Sequence, residues 1–118
     1  MVYNTENYEI QEQIAPGQVT QGVIIDIKDG KIKDFVDDTS KFKDPDQTCI
    51  NLTAECQYDA QKYTDSKLFT YIDNEDKMKV PAKSNLGKYK KYYGKMPQTG
   101  DQVQMKTNSD GYFKIVFE

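Results

Sequence analysis

Alternating apolar and polar residues predict the first two strands of the chain, joined by a tight turn. Apolar side chains recur at roughly every second position over residues 19–28, which is the period of a half-buried β-strand. Asp29-Gly30 follows directly, and this dipeptide favours a type I′ turn, whose two central residues both need a positive φ. A two-residue turn there would place Ile27 opposite Ile32 on the returning strand. We therefore expect a β-hairpin centred on Asp29-Gly30.

Two further strands are predicted after a polar loop. The loop covers residues 37–47, where an Asp-Pro pair and several polar residues interrupt any regular pattern. Alternation returns over residues 48–58. After a polar link at residues 59–66 it returns once more, over residues 67–73. We expect both alternating stretches to be β-strands.

A helix and a last hairpin complete the pattern. Ser84 is a favourable N-cap and Gly94 a favourable C′ residue, so residues 85–93 are predicted to form a helix. Alternation then resumes, and it continues over residues 112–118 beyond a turn signal at 108–111. The expected core positions are Val23, Ile25, Ile27, Ile50, Leu52, Leu68, Leu86, Val103, Ile115 and Phe117.

This order of elements predicts a mainly β protein. Many short strands with turn signals between them are typical of small barrels and sandwiches. One helix before the last hairpin is the order expected of an OB-fold, a five-stranded, partly open barrel. We therefore predict an OB-like five-stranded barrel with one short helix before the last hairpin. Residues 17–118 would form this single domain, preceded by a polar lead-in at residues 1–16.

The charges divide the chain into an acidic and a basic part. The 118 residues have a net charge of −3, but residues 1–76 carry sixteen acids and only seven lysines. Residues 77–100 carry seven lysines and no acid. Tyr89, Tyr92 and Tyr93 stand among these lysines. Mixed cations and aromatic rings are typical of proteins that follow a nucleic-acid backbone and stack on its bases.

The residue types that are missing argue against an enzyme. The chain has no His and, because Lys fills all sixteen basic positions, no Arg. The commonest general base and the commonest zinc ligand are therefore absent, and histidine-based triads are excluded. Two cysteines are too few for a Cys-rich zinc site. We expect no catalytic activity, no metal and no cofactor.

The cysteines and the N-terminal sequence predict a cytoplasmic protein, or one of the host cytoplasm if it is viral. Cys49 and Cys56 lie on one predicted strand at a spacing that turns them to opposite faces. We expect two free thiols, with Cys56 the more buried, as in reducing compartments. Residues 1–14 carry three Glu and no Lys and lack the apolar stretch of a signal peptide. No apolar run is long enough to cross a membrane.

Three stretches of the chain carry a family resemblance. They are the opening VTQGVIIDIKDGKIKDFV, the strand DPDQTCINLTAEC, and the end SNLGKYKKYYGKMPQTGDQVQMKTNSDGYFKIVF, where a helix precedes a GDxV strand and a DG turn. Together they resemble, over residues 17–118, the small OB-fold single-stranded-DNA-binding proteins of phages and some microbes. The resemblance implies a non-catalytic protein that binds single-stranded DNA or RNA, DNA first, with little sequence preference. It also implies replication or recombination proteins as partners.

The candidate binding residues lie on one strand and on the lysine-rich segment. Leu68 and Ile72 mark the expected core face of residues 67–73, which leaves Phe69 and Tyr71 on the opposite face, where the central strands of an OB-fold bind ligands. The alternative is that one of these two rings packs under the preceding polar loop. Bases would stack on Tyr71 and Tyr92, and lysines would meet phosphates. The predicted nucleic-acid-binding residues are Lys67, Phe69, Tyr71, Lys77, Lys79, Lys83, Lys88, Lys90, Lys91, Tyr92 and Lys95.

A second class of function stays open. The acidic residues 1–76, with their polar strands, also suit a small protein-interaction or structural barrel, viral or otherwise, whose ligand is another polypeptide. Affinity for a nucleic acid falls steeply as salt rises, because counterions are released from the phosphates. A salt series with oligo-dT therefore separates the two classes.

Overall fold

The computed structural model describes residues 3–10 and 14–118. Part of the expected lead-in at residues 1–16 therefore lies outside the described residues. Residues 3–10 contain no helix or strand. Ile14 packs against the core, and Thr107 Oγ1 donates a hydrogen bond of 2.7 Å to the carbonyl oxygen of Ala15. The chain is thus attached to the barrel just before its first strand.

Five antiparallel strands form the main sheet. The elements, in chain order, are β1 (Val19–Lys31), α1 (Ile32–Phe35), β2 (Thr48–Tyr58), β3 (Gln61–Thr70), β4 (Ile72–Asn74), β5 (Lys77–Lys79), α2 (Asn85–Tyr93), β6 (Gln102–Thr107) and β7 (Phe113–Val116). The main sheet has the order β3-β2-β1-β6-β7, and among the described residues β4 pairs only with β5.

The two outer strands of the sheet, β3 and β7, meet and nearly close it into a barrel. The carboxylate of Asp65 on β3 accepts a hydrogen bond of 3.0 Å from the backbone N–H of Ile115 on β7 and lies 3.3 Å from Nζ of Lys114. Next to this contact, Nζ of Lys67 on β3 lies 4.7 Å from the ring centre of Phe117, which directly follows β7. The mainly β barrel with a short helix before the last hairpin is confirmed, and its strand order is compatible with an OB-like fold.

The core lies inside the barrel and under α2. Of the expected core positions, Ile50, Leu52, Leu86, Val103, Ile115 and Phe117 are buried. The predicted face of β1 is wrong in its first half, because Ile24 is buried, Val23 is only half-buried and Ile25 is exposed. A bulge between Ile24 and Asp26 shifts the register by one residue, so that Ile27 packs against the core on the far side of the bulge.

The expected hairpin at Asp29-Gly30 is wrong. Neither residue has a positive φ, and β1 continues through both of them to pair with β2, with Gly30 opposite Cys49. The ring of Phe35 lies so close to Gly30 that a Cβ there would be 3.0 Å from it. Gly30 is therefore needed for close packing of α1 and not for a turn.

The tight turn is found instead at Asp59-Ala60, inside the stretch that the sequence suggests is a polar link. These two residues have φ values of 50° and 62°, and Tyr58 pairs with Gln61 directly across the turn. Two positive φ values in a two-residue connection are the pattern of a type I′ hairpin. Residues 61–66 accordingly belong to β3, which begins six residues earlier than expected.

The predicted faces of β3 are also reversed. Phe69 is fully buried, Leu68 is half-buried, and Ile72 lies beyond β3 with 49% of its surface exposed. Phe69 pairs with Ile50 of β2, and both side chains point into the barrel. The side chain of Phe69 is therefore not available for stacking on a base.

Both cysteines are free and buried, as expected of two thiols on opposite faces of β2. Cys56 belongs to the core of the barrel, whereas Cys49 lies outside that cluster on the other face. The prediction that Cys56 is the more buried is wrong, because Cys49 is completely buried. The segment from Lys33 to Gln47 lies at the end of the sheet that contains Cys49. The N–H of Ile32 donates a hydrogen bond there to the carbonyl oxygen of Gln47.

Candidate nucleic-acid interface

Helix α2 carries much of the predicted site and has the bounds expected from its caps. Ser84 Oγ accepts a hydrogen bond of 3.1 Å from the N–H of Gly87, and Gly94 ends the helix with a φ of 79°. Leu86 and Tyr89 are buried on the core side. Gly87 is required where it stands, because a Cβ there would collide with backbone atoms of residues 81–82. The opposite side of the helix faces outward with its lysines.

A groove with an apolar floor runs along this outward side. It has a volume of about 470 Å³ and is lined by Lys88, Lys91, Tyr92, Phe117 and Glu118. Nζ of Lys88 lies 3.0 Å from Oε2 of Glu118. We call this concavity the α2 groove.

Lys67 of β3 extends the positive charge of the α2 groove. Its Nζ lies over the ring of Phe117, at 4.7 Å from the ring centre. An ammonium group over an aromatic face is held by the quadrupole of the ring. Lys67 thus lies over Phe117 while Lys88 and Lys91 line the same groove, and the carboxylate of Glu118 offsets part of their charge.

Tyr92 is the exposed ring of the α2 groove. It keeps 44% of its surface accessible, while its hydroxyl donates a hydrogen bond of 2.7 Å to Oε1 of Gln104. Its ring meets Tyr93 edge to face, with centres 4.8 Å apart. The Tyr93 hydroxyl is in turn bonded to the backbone of β6 and β7. Tyr92 is therefore held in position with part of its ring open to solvent.

Tyr71, the other predicted stacking residue, is bound into the fold. Its hydroxyl donates a hydrogen bond of 2.9 Å to Oδ1 of Asp29, and its N–H donates to the carbonyl oxygen of Thr48. Burial, followed by the carboxylate of Asp29, raises the pKa of Tyr71 to about 12. The ring is half-buried against the core. Tyr71 therefore has a structural role at the end of β3 and offers less of its ring than Tyr92.

The remaining predicted lysines fall into two groups. Lys90 and Lys95 have partners within the fold: Lys90 Nζ donates to the carbonyl oxygen of Gly94 at 3.0 Å, and Lys95 Nζ lies 2.8 Å from Oδ1 of Asp101. This contact holds the pKa of the Asp101 carboxyl below its usual value. The other predicted lysines, Lys77, Lys79 and Lys83, are exposed, and their ammonium groups make no hydrogen bond or ion pair with any described residue.

The outer face of β2 and β3, which an OB-fold commonly uses for binding, has a different character. Thr53 and Ser66 face each other across the two strands, with their hydroxyl oxygens 2.8 Å apart. Their neighbours on this face are Asn51, Glu55, Thr64 and Leu68. This fully described surface carries no aromatic ring on which a base could stack. The structure thus brings Lys67, Lys88, Lys91 and Tyr92 together at the α2 groove.

Sequence reasoning missed two members of this groove. Phe117 was expected in the core, where it is, but not as part of the floor of a surface groove. Glu118 was not considered, although its carboxylate lies against Lys88. The alternation of Phe113, Ile115 and Phe117 signals only a buried face, so no pattern along the chain places α2 beside the end of β7.

In comparisons with known proteins, no family model, no curated protein and no solved structure matches the chain. Within residues 3–10 and 14–118, no group of three or more potential ligand side chains is placed to hold a metal ion. No helix in the same ranges is long and apolar enough to span a membrane. The candidate function therefore depends on the geometry of the barrel and of the α2 groove.

Proposed function

We propose that this protein binds single-stranded nucleic acid, with DNA as the first candidate, through the α2 groove and without catalysis. The observation that carries the proposal is the convergence of Lys67, Lys88 and Lys91 with Tyr92 around the apolar floor formed by Phe117. Positive charge for a backbone and an open ring for a base are the two elements that sequence-tolerant binders of single strands combine.

The lysines would meet the phosphates. Lys88 and Lys91 are three residues apart on α2 and therefore lie on the same side of the helix. Lys67 approaches the same point from β3. Flexible ammonium groups position a backbone without selecting a base sequence. The exposed lysines of β5 and Lys83 would lengthen this track beyond the groove.

Tyr92 would receive a base. Its hydroxyl and one ring edge are already fixed by Gln104 and Tyr93, so little conformational freedom is lost when a base stacks on the open part of the ring. Stacking of a base on an aromatic side chain contributes about 1–3 kcal/mol. The nearly closed barrel supports the proposal, because OB-like barrels are a common scaffold for oligonucleotide binding.

Fluorescence anisotropy with labelled oligo-dT over a salt series tests the proposal. We expect affinity to fall steeply with salt, and the double variant Lys88→Gln, Lys91→Gln to flatten the slope of log K against log salt by about one to two units. Lys62→Gln with Lys106→Gln is the matched control, since both lysines are exposed outside the α2 groove. An unchanged slope in the groove variant would show that α2 is only a solvated helix.

The ring is tested separately. Tyr92→Ala should weaken binding by about 1–3 kcal/mol, whereas Tyr112→Ala, which removes an exposed ring on the β6–β7 turn, should leave it unchanged. A parallel series with oligo-rU compares RNA with DNA. If neither oligonucleotide binds, a protein-interaction barrel becomes the favoured function, because the ring-free polar face of β2 and β3 and the exposed Ile25 suit a polypeptide ligand.

A further inference from the structure

The segment at residues 3–10 has an unusual surface for a chain without regular structure. Its sequence, YNTENYEI, contains two glutamates and no lysine. Tyr3, Tyr8 and Ile10 are 91%, 72% and 74% exposed. Soluble proteins rarely concentrate large exposed apolar side chains in one short acidic stretch unless another surface covers them. This segment is therefore a candidate ligand.

The α2 groove has the complementary properties. Its floor is apolar and is formed by Phe117 and Tyr92. Lys88 and Lys91 line it, Lys67 lies over the ring of Phe117, and the carboxylate of Glu118 pairs with Lys88. An aromatic side chain flanked by glutamates would fill the floor and pair its carboxylates with the lysines. A volume of about 470 Å³ accommodates a tyrosine ring.

The positions of the two surfaces on the barrel decide which copy of the chain supplies the segment. Glu9 and Ile10 line one surface pocket together with Tyr63. Tyr63 packs on Phe113 at the beginning of β7, with ring centres 5.2 Å apart. The α2 groove lies at the other end of that strand, at Phe117. Residues 9–10 thus lie near the end of β7 that is remote from the α2 groove of the same copy, while Tyr3 and Tyr8 are exposed.

We infer that residues 3–10 of one copy dock in the α2 groove of a second copy. Such a contact is heterologous, because each copy uses two different surfaces, and it can continue from copy to copy as an open chain. The groove is also the site proposed for nucleic acid. In this one respect the inference rests on the proposed function: an oligonucleotide and the acidic segment would compete for the same lysines.

Sedimentation velocity of the full chain, without any nucleic acid, tests the docking. We expect the weight-average sedimentation coefficient to rise with protein concentration at low salt. This rise should disappear at about 0.5 M salt, where exposed charges are largely screened. Tyr3→Ser with Tyr8→Ser should abolish it without affecting the fold, since both rings are exposed and make no described ring contact. Met78→Ser, which removes an exposed apolar residue of β5, is the matched control and should behave as the parent.

A charge exchange makes the test specific. Glu6→Lys with Glu9→Lys in one protein, and Lys88→Glu with Lys91→Glu in another, should each prevent self-association. A mixture of the two variants should restore it as a mixed assembly. Circular dichroism establishes that each variant is folded.

Three outcomes would overturn the inference: a parent that stays monomeric at every concentration, association that survives both tyrosine changes, or a mixture that does not associate. A parent that stays monomeric is also the result expected if residues 3–10 dock in the α2 groove of the same copy. Oligo-dT added to the associated parent should dissociate it. If the parent associates but binds no oligo-dT, only the proposed function fails. If it binds oligo-dT and stays monomeric, only the docking fails.

Discussion

Removing the carboxylate of Asp65 should open the seam that closes the barrel. This side chain is 7% exposed and lies where β3 meets β7. One of its oxygens accepts the N–H of Ile115 at 3.0 Å, and the other lies 3.3 Å from Nζ of Lys114. The described residues show no β3–β7 ladder, so this carboxylate takes the place of a backbone acceptor for Ile115. We therefore expect Asp65→Ala to destabilise the fold more than the loss of a surface acid would.

The magnitude follows from what the substitution leaves behind. Asp65→Ala leaves the N–H of Ile115 without an acceptor in a buried seam, which costs about 1–3 kcal/mol. The pair with Lys114 adds at most about 1 kcal/mol, because the lysine side chain is 56% exposed. We expect a loss of about 1–4 kcal/mol in the free energy of unfolding. Asp65→Asn keeps an acceptor for Ile115 and should cost less than half as much.

Urea unfolding followed by circular dichroism measures these differences, and native-state hydrogen exchange locates them. The Ile115 amide should lose protection in Asp65→Ala and keep most of it in Asp65→Asn. Asp76→Ala, at the exposed tip between β4 and β5, is the control and should be neutral. The reasoning is refuted if Asp65→Ala unfolds with the free energy of that control, or if protection at Ile115 is unchanged.

Three further predictions follow from other contacts. Gly87→Ala should lower the melting temperature, because the new Cβ would collide with the backbone of residues 81–82. This clash should outweigh the helix propensity of alanine, which exceeds that of glycine by about 1 kcal/mol. Asn85→Ala is the control on the same helix. Burial raises the pKa of Tyr89 to about 12, whereas an unfolded tyrosine ionises near 10. The stability contributed by neutral Tyr89 is therefore fully present below pH 10 and is lost as the pH rises towards 12. Urea unfolding between these pH values should show that the free energy of unfolding falls less steeply with pH in Tyr89→Phe than in the parent. Glu118→Gln removes the carboxylate that now pairs with Lys88 and should tighten oligo-dT binding about two- to fivefold in anisotropy, and a weaker complex would contradict the placement of phosphates at this lysine.

The parts of the fold that could be predicted from the sequence are those whose signals are local. Helix α2 begins after Ser84 and ends before Gly94 because the two caps satisfy its own terminal groups. β2 was predicted with its observed bounds because Leu52, Ala54 and Cys56 alternate with polar residues over one uninterrupted strand. Neither prediction needed a contact with a distant part of the chain.

The predicted turn at Asp29-Gly30 was wrong because pairing with the distant strand β2 outweighs the local turn preference of these two residues. β1 gains a longer ladder by continuing to Lys31 opposite Thr48 than it would gain from a hairpin with residues 32–36. The glycine is instead used for the close approach of Phe35. Asp59-Ala60 forms the tight turn without a glycine, so no composition signal marked it.

The reversed orientation of β3 removes Phe69 from the surface on which a base could stack. With Phe69 inside the barrel, the predicted stacking face of β3 is lost, since the outward side of β3 carries hydroxyls and Leu68 in place of rings. Phe69 instead packs edge to face with both Tyr89 of α2 and Phe117, which directly follows β7, with ring centres 6.1 and 5.4 Å apart. It thereby supports the helix and the floor of the α2 groove from below.

Of the predicted binding residues, Phe69 is therefore removed from the accessible surface. A change of sequence at Phe69 should act on nucleic-acid binding only through the fold. Phe69→Leu leaves a smaller side chain under Phe117 and Tyr89, so it should lower the free energy of unfolding by about 1–3 kcal/mol. At temperatures where the protein stays folded, it should change the affinity for oligo-dT much less than Tyr92→Ala does. If Phe69→Leu instead weakens binding as strongly as Tyr92→Ala while the barrel remains folded, the ring contacts ligand directly, and the assignment of the site to the outward side of α2 is wrong.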